Sequence, residues 1–409
     1  MLSLFKIHNF KSILDLTLDF SYNEDKVPDN WESMEKFPFL YLDKNDTKNR
    51  FIPTLALFGA NASGKSNIIE AMRTLICLLL YPINPIYYKL YDLYHPNKLN
   101  LKFNSTSFEV HFFINKEKYE YFIEYNDEQI LKEELKTKEK IIFSIDNEKN
   151  NFDVDNLQTG SYNKDRFKEL FDIKTSKDKK QIKSFLVESS KEYPGIKILS
   201  NIIGEILKII TISSTDFLRS IPTDEKEEKD YIPEILSIIK QFDFDIVNIE
   251  RRDFEDSNIF PSKKIKYKTF HKNINNELVE MDLKEEESLG TNILFHLLKR
   301  ILPVLKNGGV IFIDELDKSL HPLILIKIIE MFKDKDYNKN NAQLVFTSHC
   351  TDILEDEVLK RCEVGIVSKE LEKGTEIIRV SDFCDINDDY NLRKLYLTGV
   401  LGGIPFPYI

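Results

Sequence analysis

Cysteine is scarce: four residues in 409, Cys77, Cys350, Cys362 and Cys384, with no C-x-x-C pair among them. That spacing argues against a disulfide framework or a zinc site and fits a reducing cytoplasm. Long apolar runs are also missing. The most apolar helical stretch, Leu75 to Tyr81, is far shorter than the ~20 residues that cross a bilayer, so no membrane segment is expected. The opening MLSLFKIHNFKS alternates apolar and polar residues and is interrupted by Lys6, His8 and Lys11, which reads as a strand and not as a signal peptide. Basic residues do not predominate, since 57 Lys and Arg stand against 68 Asp and Glu for a net charge of −11. This opposes a broadly basic nucleic-acid surface and leaves a local basic groove open. There is no internal repeat or low-complexity tract, and Trp31 is the only tryptophan. What is present, 42% hydrophobic and 31% charged residues, describes a soluble globular chain long enough for about two or three domains.

The chain is organised around Phe51 to Met72, FIPTLALFGANASGKSNIIEAM, an apolar run followed by a small-residue turn and an amphipathic helix. Gly59, Gly64, Lys65 and Ser66 have the spacing G-x-x-x-x-G-K-[ST] of a phosphate-binding loop. Backbone N–H groups must curl closely around a polyphosphate, which glycine permits because it lacks Cβ. The expected nucleotide-lining residues are Gly59, Ala60, Asn61, Ala62, Ser63, Gly64, Lys65, Ser66 and Asn67. Lys65 reaches the β and γ phosphates, Ser66 offers its hydroxyl to Mg²⁺, and the helix turns its positive end to the anion. ATP or GTP is the expected ligand.

In chain order, Met1–Phe10 and Leu14–Phe20 read as a hairpin, and the polar stretch from Ser21 to Arg50 as a solvent-exposed insertion or a partner contact. Four runs, Phe108–Ile114, Tyr119–Tyr125, Ile130–Thr137 and Ile141–Ile145, alternate with period two and predict an antiparallel meander. A lysine-rich helical stretch is expected from Tyr162 to Ser213, with Lys174, Lys177, Lys179, Lys180 and Lys183, more as a solvated face than as a nucleic-acid contact. Helices continue to Phe242, broken by the acidic patch Asp224 to Asp230. Strands return from Ile246, then a helix from Leu289 to Lys306 and a buried parallel strand Val310–Ile313. Helix Leu323–Phe332, strand Gln343–Phe346 and two further strands near Val364 and Ile377 complete an α/β core.

The strand in VIFIDELDKSLHP ends in Asp314 and Glu315. An aspartate there can hold the Mg²⁺ shell, and an adjacent glutamate can orient or deprotonate an attacking water. In VFTSH, His349 follows another buried strand, within reach of a γ-phosphate. Glu287-Ser288-Leu289-Gly290-Thr291 opens a helix ahead of the acidic strand, and Ser288 with Gly290 makes a second anion site at a helix N-terminus.

The order of these elements, IHNFKSI, GANASGKSN, a long insertion, ESLGT, DELDKSLHP and TSH, resembles the ABC-type ATPases of the SMC, RecF and OLD-like group. The resemblance covers residues 1–80 and 280–409. With RKLYLTGVLGGIP, which holds Arg393, Tyr396, Gly399, Gly402, Gly403 and Pro405, it is similar to the stand-alone bacterial AAA family ATPases of phage defence, the RloA and AbiLi type. The resemblance implies an α/β fold: a P-loop NTPase with an ABC-type ATPase head, a mixed N-terminal β subdomain, a parallel core sheet and a helical insertion. Residues 1–155 would be the N-terminal half of the head, 156–245 the insertion and 246–409 the C-terminal half.

It further implies a head-to-tail homodimer with ATP and Mg²⁺ between the P-loop of one copy and Ser288 and Gly290 of the other. Asp317–Leu320 would form the D-loop, Glu315 and His349 would be catalytic, and Ser66 and Asp314 would hold the metal. Ser-Leu-Gly-Thr departs from the Ser-Gly-Gly-Gln form, and Gln129 is a poor candidate for the Q-loop glutamine. The roughly 60 residues after His349 are too few for a TOPRIM nuclease, and the acidic run Asp382, Asp385, Asp388 and Asp389 reads as loop and cap chemistry. The leading expectation is thus a cytoplasmic ATPase that senses or regulates in antiphage defence, with a separately encoded effector, expected to be a nuclease. The alternatives are a DNA-binding ATPase of repair or recombination and a nucleotide-bound scaffold that rarely hydrolyses. Salt-sensitive DNA stimulation of turnover distinguishes the first, and turnover indifferent to Glu315→Gln the second.

Overall fold

The alternating runs at the start become β1 (Leu2–Phe10) and β2 (Ile13–Asp19), paired antiparallel across Lys11 and Ser12. A short pair, β3 (Leu40–Tyr41) and β4 (Arg50–Phe51), precedes β5 (Thr54–Phe58) and helix α1 (Lys65–Leu80). The meander forms as its period-two pattern predicts: β6 (Thr106–Ile114), β7 (Glu117–Tyr125), β8 (Ile130–Thr137), β9 (Ile141–Asp146) and β10 (Asn151–Asp153) pair antiparallel in sequence. Helices α2 (Phe185–Glu192) and α3 (Lys197–Leu207), strand β11 (Ile209–Ile212) and helix α4 (Glu225–Ile239) follow. Strands β12 (Ile246–Asp256), β13 (Ser262–Lys272) and β14 (Leu278–Asp282) form a separate antiparallel sheet. The chain then runs through α5 (Leu289–Asn307), β15 (Val310–Ile313), α6 (Pro322–Lys333), β16 (Gln343–Thr347), β17 (Val364–Glu370), β18 (Gly374–Arg379) and α7 (Leu392–Leu397). The computed structural model describes residues 1–22, 37–42, 49–80, 90–99, 103–157, 167, 181, 183–213, 216, 225–242, 245–256, 262–355, 358–383 and 390–404.

Thirteen strands join one mixed sheet in the order β10-β9-β8-β7-β6-β1-β2-β18-β17-β5-β16-β15-β11. From β17 to β11 neighbours are parallel, so both faces need cover and the strands are largely apolar. Their alternate residues serve two cores: Val310, Phe312 and Val345 join α1 and the meander, while Ile311, Ile313, Leu344 and Phe346 join α5 and α6. The β1–β2 hairpin is the seam between the meander and the β17–β18 hairpin that borders the parallel strands, because β1 pairs with β6 and β2 meets β18 at Ile13 and Gly374. Gly374 has φ 75°, and a Cβ there would lie 2.6 Å from the Ser12 carbonyl oxygen, so the seam admits glycine alone.

Two features differ from the expected pattern. Ile209–Ile212 lies at the end of the stretch expected to be helical, yet it is a strand parallel to β15 and forms the edge of the core sheet. The described part of the acidic run is not a break, because Glu225 to Asp230 lie within α4. The lysines at 174–180, the polar stretch at 23–36 with Trp31, Cys384, Asp385, Asp388, Asp389 and Pro405 lie outside the described residues. Among those described, no helix is long and apolar enough to cross a membrane.

Buried polar groups fix how the outer elements dock. The Glu133 carboxylate accepts from the Tyr121 hydroxyl (3.0 Å), the Ser184 hydroxyl (2.8 Å) and the N–H groups of Phe185 (2.7 Å) and Leu186 (3.0 Å), clasping the start of α2 to the meander. Burial pushes this carboxyl up, and the backbone donors oppose it. On the meander's more open face, His111 Nε2 stands 2.5 Å from Glu109 and 3.8 Å from Glu120. Lys6 pairs with Glu109, and Lys118 and Lys136 with Glu120, so the cluster is a cross-strand ion ladder.

The hydrogen bond to His111, aided by Lys6, holds Glu109 at about 2 against an ordinary 4.5. A carboxyl depressed on folding stabilises above its unfolded pKa and loses that contribution as pH falls through the folded one. Stability is therefore expected to decline between about pH 5 and pH 2, and Glu109→Gln to flatten that decline in acid titrations followed by circular dichroism. An unchanged acid limb in the variant would contradict this role.

Candidate functional site

Every parallel strand of the core points its carboxyl end to one edge of the sheet, where α/β folds gather ligands. The loop from Gly59 to Gly64 leaves β5 there and enters α1. Its shape is held from behind: a Cβ on Gly59 would lie 2.2 Å from the Val367 carbonyl oxygen, and one on Gly64 2.1 Å from Thr375 Oγ1. Ala62 takes a left-handed φ of 65°, an uncommon conformation outside glycine that suits a tightly curled loop. Lys65 Nζ spans the loop, donating to the carbonyls of Gly59 (2.7 Å) and Ala60 (3.0 Å). Burial lowers its pKa, while Asp314, Asp317 and Glu315 favour the charged form. Ser66 is second in α1, at the end of the helix where opening N–H groups lack intrahelical carbonyl partners.

One strand over from β16, β15 delivers Asp314, 8% exposed. Its Oδ1 accepts from the Ser66 hydroxyl (3.1 Å) and the Thr347 hydroxyl (2.7 Å), and Thr347 Oγ1 in turn accepts from the Glu315 N–H (2.7 Å). Two strand ends and the first turn of α1 thus converge on one carboxylate. Glu315 itself has φ 53°, a turn that carries its side chain out of the strand to partial exposure, 3.6 Å from Lys318. His349 is exposed, with its N–H on Asp317 Oδ2 at 3.1 Å.

Ser288 caps α5, its hydroxyl accepting from Thr291 N–H at 3.1 Å. A Cβ on Gly290 would lie 3.3 Å from the Ser319 carbonyl oxygen, so the tip of α5 rests on the turn that follows Glu315. Glu287 turns away to Thr269 and His271 on β13. The structure therefore brings together Gly59 to Asn67, Asp314, Glu315 and the His349 segment, while the contacts of Ser288 and Gly290 are with α5 and Ser319. Gln129 closes the turn between β7 and β8 with Asn126.

Several residues of this edge carry no motif assignment. Asn67 Nδ2 donates to Ser12 Oγ (2.7 Å), Ser12 Oγ shares a hydrogen bond with Thr375 Oγ1 (2.7 Å), and that threonine donates to the Ser63 carbonyl (2.9 Å). Ser12 stands in IHNFKSI and Thr347 in VFTSH, so both were visible as motif letters without a role. Thr375 has no local signal, because its partner is 312 residues away. Tyr396 and Gly403 of the C-terminal motif pack against Phe58 and Gly59.

A curled glycine loop with lysine and serine, facing an aspartate at the end of a neighbouring parallel strand, defines a P-loop nucleotide-binding protein of α/β class. Residues 55–355 match the family described as "AAA domain, putative AbiEii toxin, Type IV TA system", and the chain belongs to that family. No curated protein matches. Among solved structures the chain is similar to "SMC head domain from Thermotoga maritima", at 12% identity over 92% of this chain and 98% of that one with a TM-score of 0.44. It is also similar to "Crystal structure of the SmcHead bound to the C-winged helix domain of ScpA", at 13% identity over 92% and 97% with a TM-score of 0.44.

Thr347 offers a direct check of the constellation. Thr347→Val keeps the volume but removes the hydroxyl that Asp314 and the Glu315 N–H share, with an expected cost of about 1–3 kcal/mol in urea unfolding. Thr347→Ser should cost less. A negligible cost for Thr347→Val, or a Thr347→Ser cost as large as that of Thr347→Val, would contradict the hydroxyl's leading role there.

Proposed function

We propose that this protein is an ATPase that binds ATP with Mg²⁺ at the P-loop and hydrolyses it between two copies packed head to tail. The observation that carries this reading is the single carboxylate, Asp314, shared by Ser66 of the P-loop helix and Thr347 of the strand before His349. Ser66 and Asp314 present hard oxygen donors to one point, the ligand type that Mg²⁺ takes. Bound there, the cation would neutralise charge on the phosphate oxygens. The Ser63 hydroxyl is buried with no hydrogen-bond partner among the described residues, which fits a loop built to meet a ligand.

Gly59 to Gly64 hold the phosphate chain, Lys65 supplies a positive charge beside it, and Asn67 keeps the loop registered on Ser12. Glu315, set out of its strand by its left-handed φ, orients the attacking water and accepts its proton, and His349 holds the far oxygens. Ser288 and Gly290 of a second copy complete the enclosure. The family description, which names a toxin of a toxin–antitoxin system, supports work alongside another gene product. On this reading the protein is a cytoplasmic sensor or regulator of antiphage defence, and the separately encoded effector is a nuclease.

Lys65→Ala is expected to abolish nucleotide binding. Glu315→Gln should retain binding, accumulate ATP-bound dimers in sedimentation, and lose on the order of a hundredfold or more in turnover. Wild-type turnover in Glu315→Gln would remove the catalytic assignment. For the partner, co-purification with the product of the neighbouring gene, with and without ATP, and phage challenge of a deletion strain are the tests. Absence of a complex together with unchanged phage sensitivity would overturn the defence role, and DNA-stimulated, salt-sensitive turnover would favour a repair ATPase instead.

A further inference from the structure

The nucleotide site just described makes no use of a polar junction at the carboxyl end of β11. Asp216 Oδ2 accepts from the Ser213 hydroxyl at 2.6 Å and from Arg73 at 3.2 Å, while its backbone carbonyl accepts from Arg300 at 2.9 Å. These donors come from three elements. Ser213 directly follows β11. Arg73 stands on α1 seven residues beyond Ser66, about two helical turns along the helix. Arg300 stands on α5, the helix whose first turn carries Gly290 and whose cap is Ser288. The junction also touches the site through the backbone, since the carbonyl of Ile212, last in β11, accepts from the Asp314 N–H at 2.9 Å.

The geometry is that of a mechanical link. Aspartate has a short side chain, and the Ser213 hydroxyl fixes one of its oxygens, so the residue has little freedom of its own. Asp216 is 15% exposed and Arg73 42% exposed, whereas Arg300 is buried. Burial disfavours the Arg300 charge and Asp216 opposes that effect. The Arg73 bond to Asp216 is charge-assisted and directional at 3.2 Å. A displacement of α1 therefore moves the point on which α5 hangs.

We propose that Asp216 is a positioning residue that couples the P-loop helix to α5, so that triphosphate at Gly59–Ser66 sets how Ser288 and Gly290 are presented to a second copy. This rests on the two-copy reading given under Proposed function and assigns the link between phosphate and signature helix, for which Gln129 is a poor candidate, to an aspartate held by two arginines. A purely structural role would lower stability and nucleotide affinity together. A coupling role separates binding from what binding causes.

The test uses the full-length chain with Arg73→Ala, Arg73→Lys and Asp216→Asn. Three quantities are read: the dissociation constant for a fluorescent ATP analogue, ATP-dependent association by sedimentation in the Glu315→Gln background, and kcat. For Arg73→Ala and Asp216→Asn, the dissociation constant should stay within about threefold of wild type while kcat falls about tenfold or more and ATP-dependent association is lost. Arg73→Lys should recover most of both. Arg73 is partly exposed, so its variants carry the test even where Asp216→Asn does not fold. Variants with wild-type kcat and association overturn the coupling, as does a loss of affinity in parallel with kcat. Failure of the underlying reading is distinct, because there the wild-type protein itself shows no ATP-dependent association.

Discussion

One carboxylate holds this active edge together. Asp314 is buried, and a buried carboxylate is costly unless donors surround it. Here the donors are hydroxyls from two other elements, Ser66 from the P-loop helix and Thr347 from the end of β16. The interaction therefore does two things at once. It satisfies the charge, and it sets the P-loop, the acidic strand and the His349 segment at fixed mutual distance. Glu315 depends on the same centre, since its N–H is anchored on the Thr347 hydroxyl.

The P-loop is braced from the opposite side by residues remote in sequence. Ser12 at the hairpin turn, Thr375 at the start of β18 and Asn67 on α1 form one hydroxyl–amide chain ending on the Ser63 carbonyl. Tyr396 and Gly403 press on Phe58 and Gly59 from a third direction. The close approach of β17 and β18 requires the glycines at 59 and 64, and on the proposed reading the close approach of a phosphate requires them a second time. A substitution there fails for packing reasons alone, so loss of activity at either glycine says little about nucleotide contact.

Much of this was legible in sequence where signal and structure are both local. The P-loop declares itself by spacing, the meander by its period of two, and β15 by an unbroken apolar run whose two faces serve two different cores. The edge strand β11 was not legible. Ile209–Ile212 is three isoleucines and a threonine set one residue after an amphipathic helix, too short a run for periodicity to separate strand from helix. Only its pairing with β15 decides the matter. The same limit hid Thr375 and Asp216, whose chemistry exists only after β18 and β11 take their places beside β2 and β15. Ser288 and Gly290 were visible as a helix-opening motif, and within one chain Ser288 caps α5 while Gly290 rests on Ser319.

The central claim is that the site needs two copies, one supplying the P-loop and the other the tip of α5. A mixing experiment tests it most directly. Lys65→Ala lacks a working P-loop but keeps an intact α5 tip, and Ser288→Arg has the reverse defect. Each alone should be inactive in ATP hydrolysis. Mixed in equal amounts, they should regain about a quarter of wild-type turnover, because half the dimers are mixed and each mixed dimer has one complete site of two. Full activity of Ser288→Arg by itself, or no recovery on mixing, would contradict the account.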